Sequence, residues 1–206
     1  MHLLVTGGLG FIGSNFVRHM LSKAPDIKII NVDKIGMSAN PENLRDVEKL
    51  ENYRFVKGDI SNPSVVEEMV KEVDAVVNFA AETHVDRSIS DPGSFVESNI
   101  LGTFTLLEAI RKLKRDIKYV QISTDEIYGD LLEGSFKEFD RLSPSNPYAA
   151  SKASADMLCL AYHRTYGQNV NITRCTNNFG PYQFPEKLIP KTIIRALRNL
   201  QIPVYG

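Results

Sequence analysis

The chemistry available to this chain is concentrated in Ser123-Thr124-Asp125-Glu126 and Tyr148-Ala149-Ala150-Ser151-Lys152. In the second stretch a phenol and an ammonium stand at i and i+4, on one face of a helix. A nearby positive charge favours the phenolate and would lower the Tyr148 pKa, making Tyr148 an acid/base for oxidising a hydroxyl. In the first stretch Ser123 and Thr124 can hydrogen-bond a sugar hydroxyl. The adjacent Asp125 and Glu126 can divide into a protonated acid and an ionised base. Simple dehydrogenation requires only the Tyr and a hydride acceptor, so two further carboxyls imply an additional proton transfer. On spacing alone Tyr148 and Lys152 could be structural, and Asp125 and Glu126 could cap a turn.

The run Gly7-Gly8-Leu9-Gly10-Phe11-Ile12-Gly13 supplies a partner for that chemistry. It satisfies both GxxGxxG and GxGxxG between an apolar strand and an amphipathic helix, the setting in which glycines cradle a pyrophosphate. Gly7 allows the tight turn, Gly10 a close approach of backbone to phosphate, and Gly13 close packing of helix on strand. The helix N-terminus then faces the negative charge. Asp33 ends the next strand 20 residues after Gly13, where a carboxylate accepts from ribose hydroxyls and repels a 2′-phosphate, so NAD is favoured over NADP. Asp59-Ile60, after the third strand, suits adenine contact or a solvated loop.

These groups must be positioned by alternating strands and helices. Apolar runs at His2–Thr6, Ile27–Val32, Tyr53–Val56, Asp74–Asn78, Lys118–Ser123 and Val170–Arg174 predict strands. Helices are predicted near 11–23, 62–72, 94–114, 147–167 and 186–200. Strands apolar on both faces imply an α/β, doubly wound, mainly parallel sheet of the Rossmann type with helices on both sides. Ser123 to Glu126 would then lie at the carboxyl end of a strand, where open parallel sheets bind ligands. The stretch from Gly129 to Pro147 reads as a surface loop over the site, and Pro203 to Gly206 as the start of a further strand.

With 43% apolar residues, 24% charged residues and a net charge of -1 over 206 residues, the chain has room for one well-buried domain and no basic field for nucleic acid or an anionic membrane. No apolar run approaches the roughly 18 residues of a membrane span, and a cytoplasmic location is expected. Cys159 and Cys175 have neither metal-ligand nor disulfide spacing and read as packing residues; no metal is expected.

Together these segments resemble the extended short-chain dehydrogenase/reductase family of NAD-dependent epimerases and dehydratases. The similarity is strongest to its dTDP-glucose 4,6-dehydratase branch. It runs through Thr6 to Ser14, Ala80-Ala81-Glu82-Thr83-His84-Val85-Asp86-Arg87-Ser88-Ile89, Ser123 to Gly129, Tyr148 with Lys152, and Arg174 to Pro190. Related 4-epimerases carry a Ser-rich segment where Thr124-Asp125-Glu126 stands, and decarboxylases and GDP-mannose dehydratases have Ser in place of Asp125. The resemblance implies a lyase that oxidises C4 of dTDP-glucose, eliminates water across C5 and C6, and reduces C6. Tyr148 would take the C4 hydroxyl proton, Glu126 the C5 proton, and Asp125 would protonate the departing C6 hydroxyl. Thr124 would hold the C4 oxygen, and Lys152 would position the ribose. Cofactor contacts would come from Gly7, Gly10, Phe11, Ile12, Gly13, Asp33, Lys34, Asp59, Ile60, Ala80, Ala81, Asn99, Ser123 and Asn177, besides Tyr148 and Lys152. Substrate contacts would come from His84, Thr124, Asn178, Glu186, Lys187, Leu188, Pro203 and Tyr205.

The sequence departs from the family pattern at Ile35-Gly36-Met37-Ser38, after Asp33-Lys34, and family members continue well past Gly206. Residues 1–180 are therefore expected to be the NAD-binding domain with the catalytic groups, and 181–206 an incomplete nucleotide-sugar region, so that this form would hold NAD but turn over little. A homodimer is expected through helices near 94–114 and 147–167, with Leu106, Leu107, Met157 and Leu160 on the leftover faces. The competing readings are a 4-epimerase or decarboxylase, and a catalytically silent NAD-binding module.

Overall fold

The computed structural model describes residues 1–203. Six parallel strands form one sheet in the order β3-β2-β1-β4-β5-β6: β1 His2–Thr6, β2 Lys28–Asp33, β3 Tyr53–Lys57, β4 Ala75–Asn78, β5 Lys118–Thr124 and β6 Val170–Cys175. This doubly wound order reverses direction between β1 and β4, and the crevice at the carboxyl ends of those strands is where such sheets bind ligands. Alternation along the strands separates two cores. Leu4, Ile30, Val32 and Val76 face one side with Leu106, Leu107, Ile110 and Cys159. Leu3, Val5, Ile29 and Val77 face the other with Leu9 and Val17.

The helices are α1 Phe11–Lys23, α2 Pro63–Val70, α3 Val85–Ser90, α4 Pro92–Phe95, α5 Gly102–Leu113, α6 Pro147–Tyr166 and α7 Leu188–Leu197. Local chemistry sets their ends. Asn62 accepts from Ser64 N at 3.0 Å and Asn146 from Ala149 N at 2.8 Å, each followed by a proline whose missing N–H costs nothing at a first helical position. Gly167 closes α6 in the left-handed conformation.

Two expectations need correction, and several short elements were not expected. The helix expected over 94–114 runs unbroken as α4, a π-helical turn over Val96–Leu101, and α5. On the wider π turn Ser98 reaches the cavity wall and Asn99 braces the loop after β4 through Glu82. Helix α3 and the short 3-10 turns Pro41–Leu44 and Asp125–Tyr128 were not expected, because each is too short to show a hydrophobic period. Leu106 and Leu107 are wholly buried against the sheet and cannot form an outer face. The exposed apolar residues there include Leu101, Phe104, Met157 and Leu160. The loop after Gly129 does not cover the site either. It folds back on Tyr128, stacking Phe136 on that ring at 5.0 Å and packing Leu142 beside it. The expected strand from Pro203 to Gly206 falls, except for Pro203, outside the described residues, and 201–203 have no regular structure.

Among the described residues no helix is long and apolar enough to cross a membrane. Cys159 and Cys175 are both free thiols; burial pushes Cys159 up to about 12, which leaves it unreactive.

Candidate active site

Strand β1 delivers the glycine turn to the carboxyl edge of the sheet, and two side chains from β2 fix its shape. Asn31 Oδ1 accepts from Gly8 N at 3.0 Å while its amide donates to the Tyr53 hydroxyl at 2.9 Å. Asp33 accepts from Leu9 N at 3.1 Å and Ile35 N at 2.8 Å. Asn43 adds a bond to Leu9 O at 2.9 Å. Gly7 has a φ of 69° and lies so close to the loop after β4 that a Cβ would fall 2.6 Å from Ala80 N. A Cβ on Gly13 would lie 2.4 Å from Gly7 O. Both positions therefore exclude side chains for geometric reasons, and the start of α1 is left open to an incoming group.

From this turn a cavity of about 310 Å³ runs along the sheet edge to Tyr148. Its walls include Gly7, Gly10, Phe11, Ile12 and Gly13 at one end, with Asp33, Lys34, Asp59 and Ile60 beside them. Ala80, Ala81, Ser123, Thr124, Glu126, Tyr148 and Lys152 follow, and Asn177, Asn178 and Lys187 close the far side. Residues dispersed over the chain thus share one space of the size that small-molecule sites occupy.

Some expected residues lie elsewhere. Asn99 is buried with its amide wholly engaged: it accepts from Glu82 N at 2.8 Å and donates to Glu82 O at 3.0 Å and Ser151 Oγ at 2.8 Å. It positions the loop after β4 against α6 and does not line the cavity. Asp125 stands on the same 3-10 turn as Glu126 but lies back from the cavity wall, its carboxylate accepting from Thr124 Oγ1 at 3.3 Å. Glu186 is tied to Arg87 at 3.1 Å and lies 3.4 Å from His84 Nε2, so two residues assigned to substrate engage each other beside the cavity. Leu188 is exposed at the start of α7, and Pro203 lies past that helix. Tyr205 is outside the described residues.

Other wall residues were not anticipated. Glu82 and Ser98 hold Lys34, whose Nζ is 3.1 Å from Glu82 Oε1 and donates to Ser98 Oγ at 2.7 Å. Met37 and Ser38, from the segment that departs from the family pattern, line the cavity beside Asp33. Asn31 was missed although it was visible as a lone amide in the apolar run Ile29-Ile30-Asn31-Val32; in a strand that packs on both faces, such a residue needs a partner.

The electrostatics also differ from expectation. Lys152 donates one of its three protons to Ile122 O at 2.6 Å. Burial foremost, then the Glu126 carboxylate, holds the Tyr148 phenol well above the ordinary tyrosine value, while Thr124 opposes the shift. Asp33 is likewise raised, chiefly by burial, against the two backbone N–H groups that favour its charge.

A family model described as GDP-mannose 4,6 dehydratase matches residues 4–206. The chain belongs to that family. Within the family, dTDP-glucose 4,6-dehydratase of Streptomyces niveus is 50% identical over 210 residues, covering 100% of this chain and 62% of that protein. The crystal structure of dTDP-glucose 4,6-dehydratase from Bacillus anthracis in complex with NAD has a TM-score of 0.92 at 50% identity. That from Streptomyces venezuelae, with NAD and TYD bound, has 0.95 at 48%. Each structure covers 100% of this chain, which spans 64% and 65% of theirs.

Proposed function

We propose that this chain binds NAD and belongs to an enzyme that dehydrates dTDP-glucose to dTDP-4-keto-6-deoxy-glucose. The observation that carries the reading is the single cavity shared by the glycine turn, Asp33, Thr124, Glu126, Tyr148 and Lys152. The crowded backbone at Gly7 and Gly13 suits a pyrophosphate approaching the start of α1, and the Asp33 carboxylate suits ribose hydroxyls without a 2′-phosphate. The likeness to the Streptomyces niveus dehydratase at 50% identity supports the substrate class.

NAD, when bound, supplies the hydride acceptor for C4 and a positive charge that favours the Tyr148 phenolate. Tyr148 takes the proton of the C4 hydroxyl, and Thr124, whose hydroxyl also acts on the phenol, holds the C4 oxygen. Oxidation at C4 makes the C5 hydrogen acidic; Glu126 removes it, and Asp125, carried on the same turn behind the wall, protonates the departing C6 oxygen. The hydride taken from C4 then returns to C6 as Glu126 gives its proton back to C5. Lys152 keeps two N–H donors beyond its bond to Ile122 for the ribose. Asn177 serves the cofactor, and Asn178 and Lys187, from the loop after β6, serve the substrate diphosphate.

Residues 1–180 form the cofactor-binding and catalytic part, and 181–206 begin the nucleotide-sugar region. The enzyme is cytoplasmic. It pairs with a second copy through the apolar surface of Leu101, Phe104, Met157 and Leu160, which sedimentation at graded concentration would detect.

The test is incubation with NAD and, separately, dTDP-glucose, UDP-glucose and GDP-mannose, following the alkaline absorbance of a 4-keto-6-deoxy product. dTDP-glucose should be consumed in preference. An inverted sugar still bearing its C6 hydroxyl would mark an epimerase instead.

A further inference from the structure

Helix α3 and the segment before α7 meet through three side chains. Arg87 Nη2 donates to both oxygens of Glu186, at 3.1 and 3.3 Å, joining residues 99 apart in sequence. His84, at the start of α3, brings its Nε2 to 3.4 Å from the same carboxylate. The Arg87 and Glu186 side chains each keep 31% of their surface exposed, and ion pairs open to water add little stability. What the pair does fix is a direction. Glu186 is drawn to α3 and does not line the cavity, whereas the next residue, Lys187, forms its wall with Gln183 and Phe184. The backbone of Lys187 is held by a bond from its N to Phe184 O at 3.1 Å. Its ammonium has no partner among the described residues.

On the reading that Lys187 serves the substrate diphosphate, we propose that Arg87 is a positioning residue: it occupies the Glu186 carboxylate, so that the neighbouring Lys187 ammonium stays open to the phosphates. Opposite charges a few ångströms apart attract even through water, and adjacent residues on an irregular segment can reach each other. An ammonium engaged by its own neighbour has lost a donor, and part of its field, for an incoming anion. Arg87 prevents this because its guanidinium keeps its charge and spans both carboxylate oxygens. Arg87 does not itself line the cavity, so its effect on a ligand passes through Lys187.

The test is calorimetric titration of thymidine diphosphate into a version extended to the length of its relatives and saturated with NAD. Arg87→Ala should bind it about tenfold more weakly than wild type, the loss of one charge-assisted hydrogen bond. Adding Glu186→Gln to that variant should restore most of the affinity, because the carboxylate that captures Lys187 is gone. In a Lys187→Met background, already weak, Arg87→Ala should cause no further loss. Arg87→Lys, which keeps the charge but not the planar fork, should lose less and serves if the Ala variant does not fold. NAD affinity of the Arg87 variants should stay at the wild-type level. Undiminished thymidine diphosphate binding in Arg87→Ala, a parallel loss of NAD affinity, or a loss that Glu186→Gln fails to restore or that persists in Lys187→Met would overturn the proposal. If Lys187→Met alone costs no affinity for thymidine diphosphate, the reading of Lys187 fails, and this role with it.

Discussion

Asn15 on α1 donates its side-chain amide to Pro181 O at 2.9 Å, joining residues 166 apart in sequence. Three residues further along the same helix, the Arg18 guanidinium lies 4.7 Å from the centre of the Tyr182 ring. The loop after β6 is thereby held against the helix whose start faces the cavity, and its residues Asn177 and Asn178 form part of the cavity wall. A hydrogen bond and a cation–π contact are each worth about 1 kcal/mol. Removing both with Asn15→Ala and Tyr182→Ala should speed NAD dissociation about tenfold, measured by displacement in stopped flow. An unchanged rate would mean the loop does not retain the cofactor.

Gly13→Ala places a methyl 2.4 Å from Gly7 O and 2.8 Å from Gly8 Cα, both backbone atoms that cannot swing aside. NAD affinity should fall at least about tenfold. Gly134→Ala is the control: Gly134 has a φ of 94° but nothing within 4 Å of a Cβ, so only local strain follows and NAD binding should be unaffected. Equal affinities in the two variants would remove the crowding argument.

The Tyr148 phenol is raised by burial and then by Glu126. Without cofactor it should therefore keep its proton while exposed tyrosines ionise. Since a negative neighbour favours the neutral phenol, Glu126→Gln should move its ionisation to lower pH. Alkaline ultraviolet difference titration, with Tyr148→Phe to identify the signal, reads both. An upward shift in Glu126→Gln would contradict the placement of that carboxylate.

Much of this arrangement was legible in the sequence because it rests on periodicities and small residues. The six strands, the glycine turn and the helical spacing of Tyr148 and Lys152 each leave a local signature. Asn99 did not, since whether an amide faces a ligand or a backbone group depends on the π turn at Val96–Leu101, which has no hydrophobic period of its own. The high proton affinity of Tyr148 was hidden for a similar reason. Helical spacing puts Lys152 on the right face, but Ile122 O, supplied by another element, decides where its ammonium points. Asp156 and Arg174 likewise become a pair only when α6 is packed against β6.

Asp33 accepts from two backbone N–H groups and still lines the cavity. A 2′-phosphate there would meet a carboxylate with little water between them, so NAD should bind in preference to NADP, and Asp33→Ser should narrow the gap by about tenfold or more. Competitive calorimetry of the two dinucleotides checks this, and equal affinity in the wild-type chain would remove Asp33 from the cofactor argument.

Oxidation at C4 and loss of water are assigned to different side chains, so they can be separated. In a version extended to the length of its relatives, given NAD and dTDP-glucose, Asp125→Asn combined with Glu126→Gln should retain the first and lose the second. Near-ultraviolet absorbance of reduced cofactor should rise and persist, and no 4-keto-6-deoxy product should form, whereas the wild-type protein forms product without lasting reduced cofactor. Normal dehydration by the double variant would show that the two carboxyls are turn residues and that the account of this site is wrong.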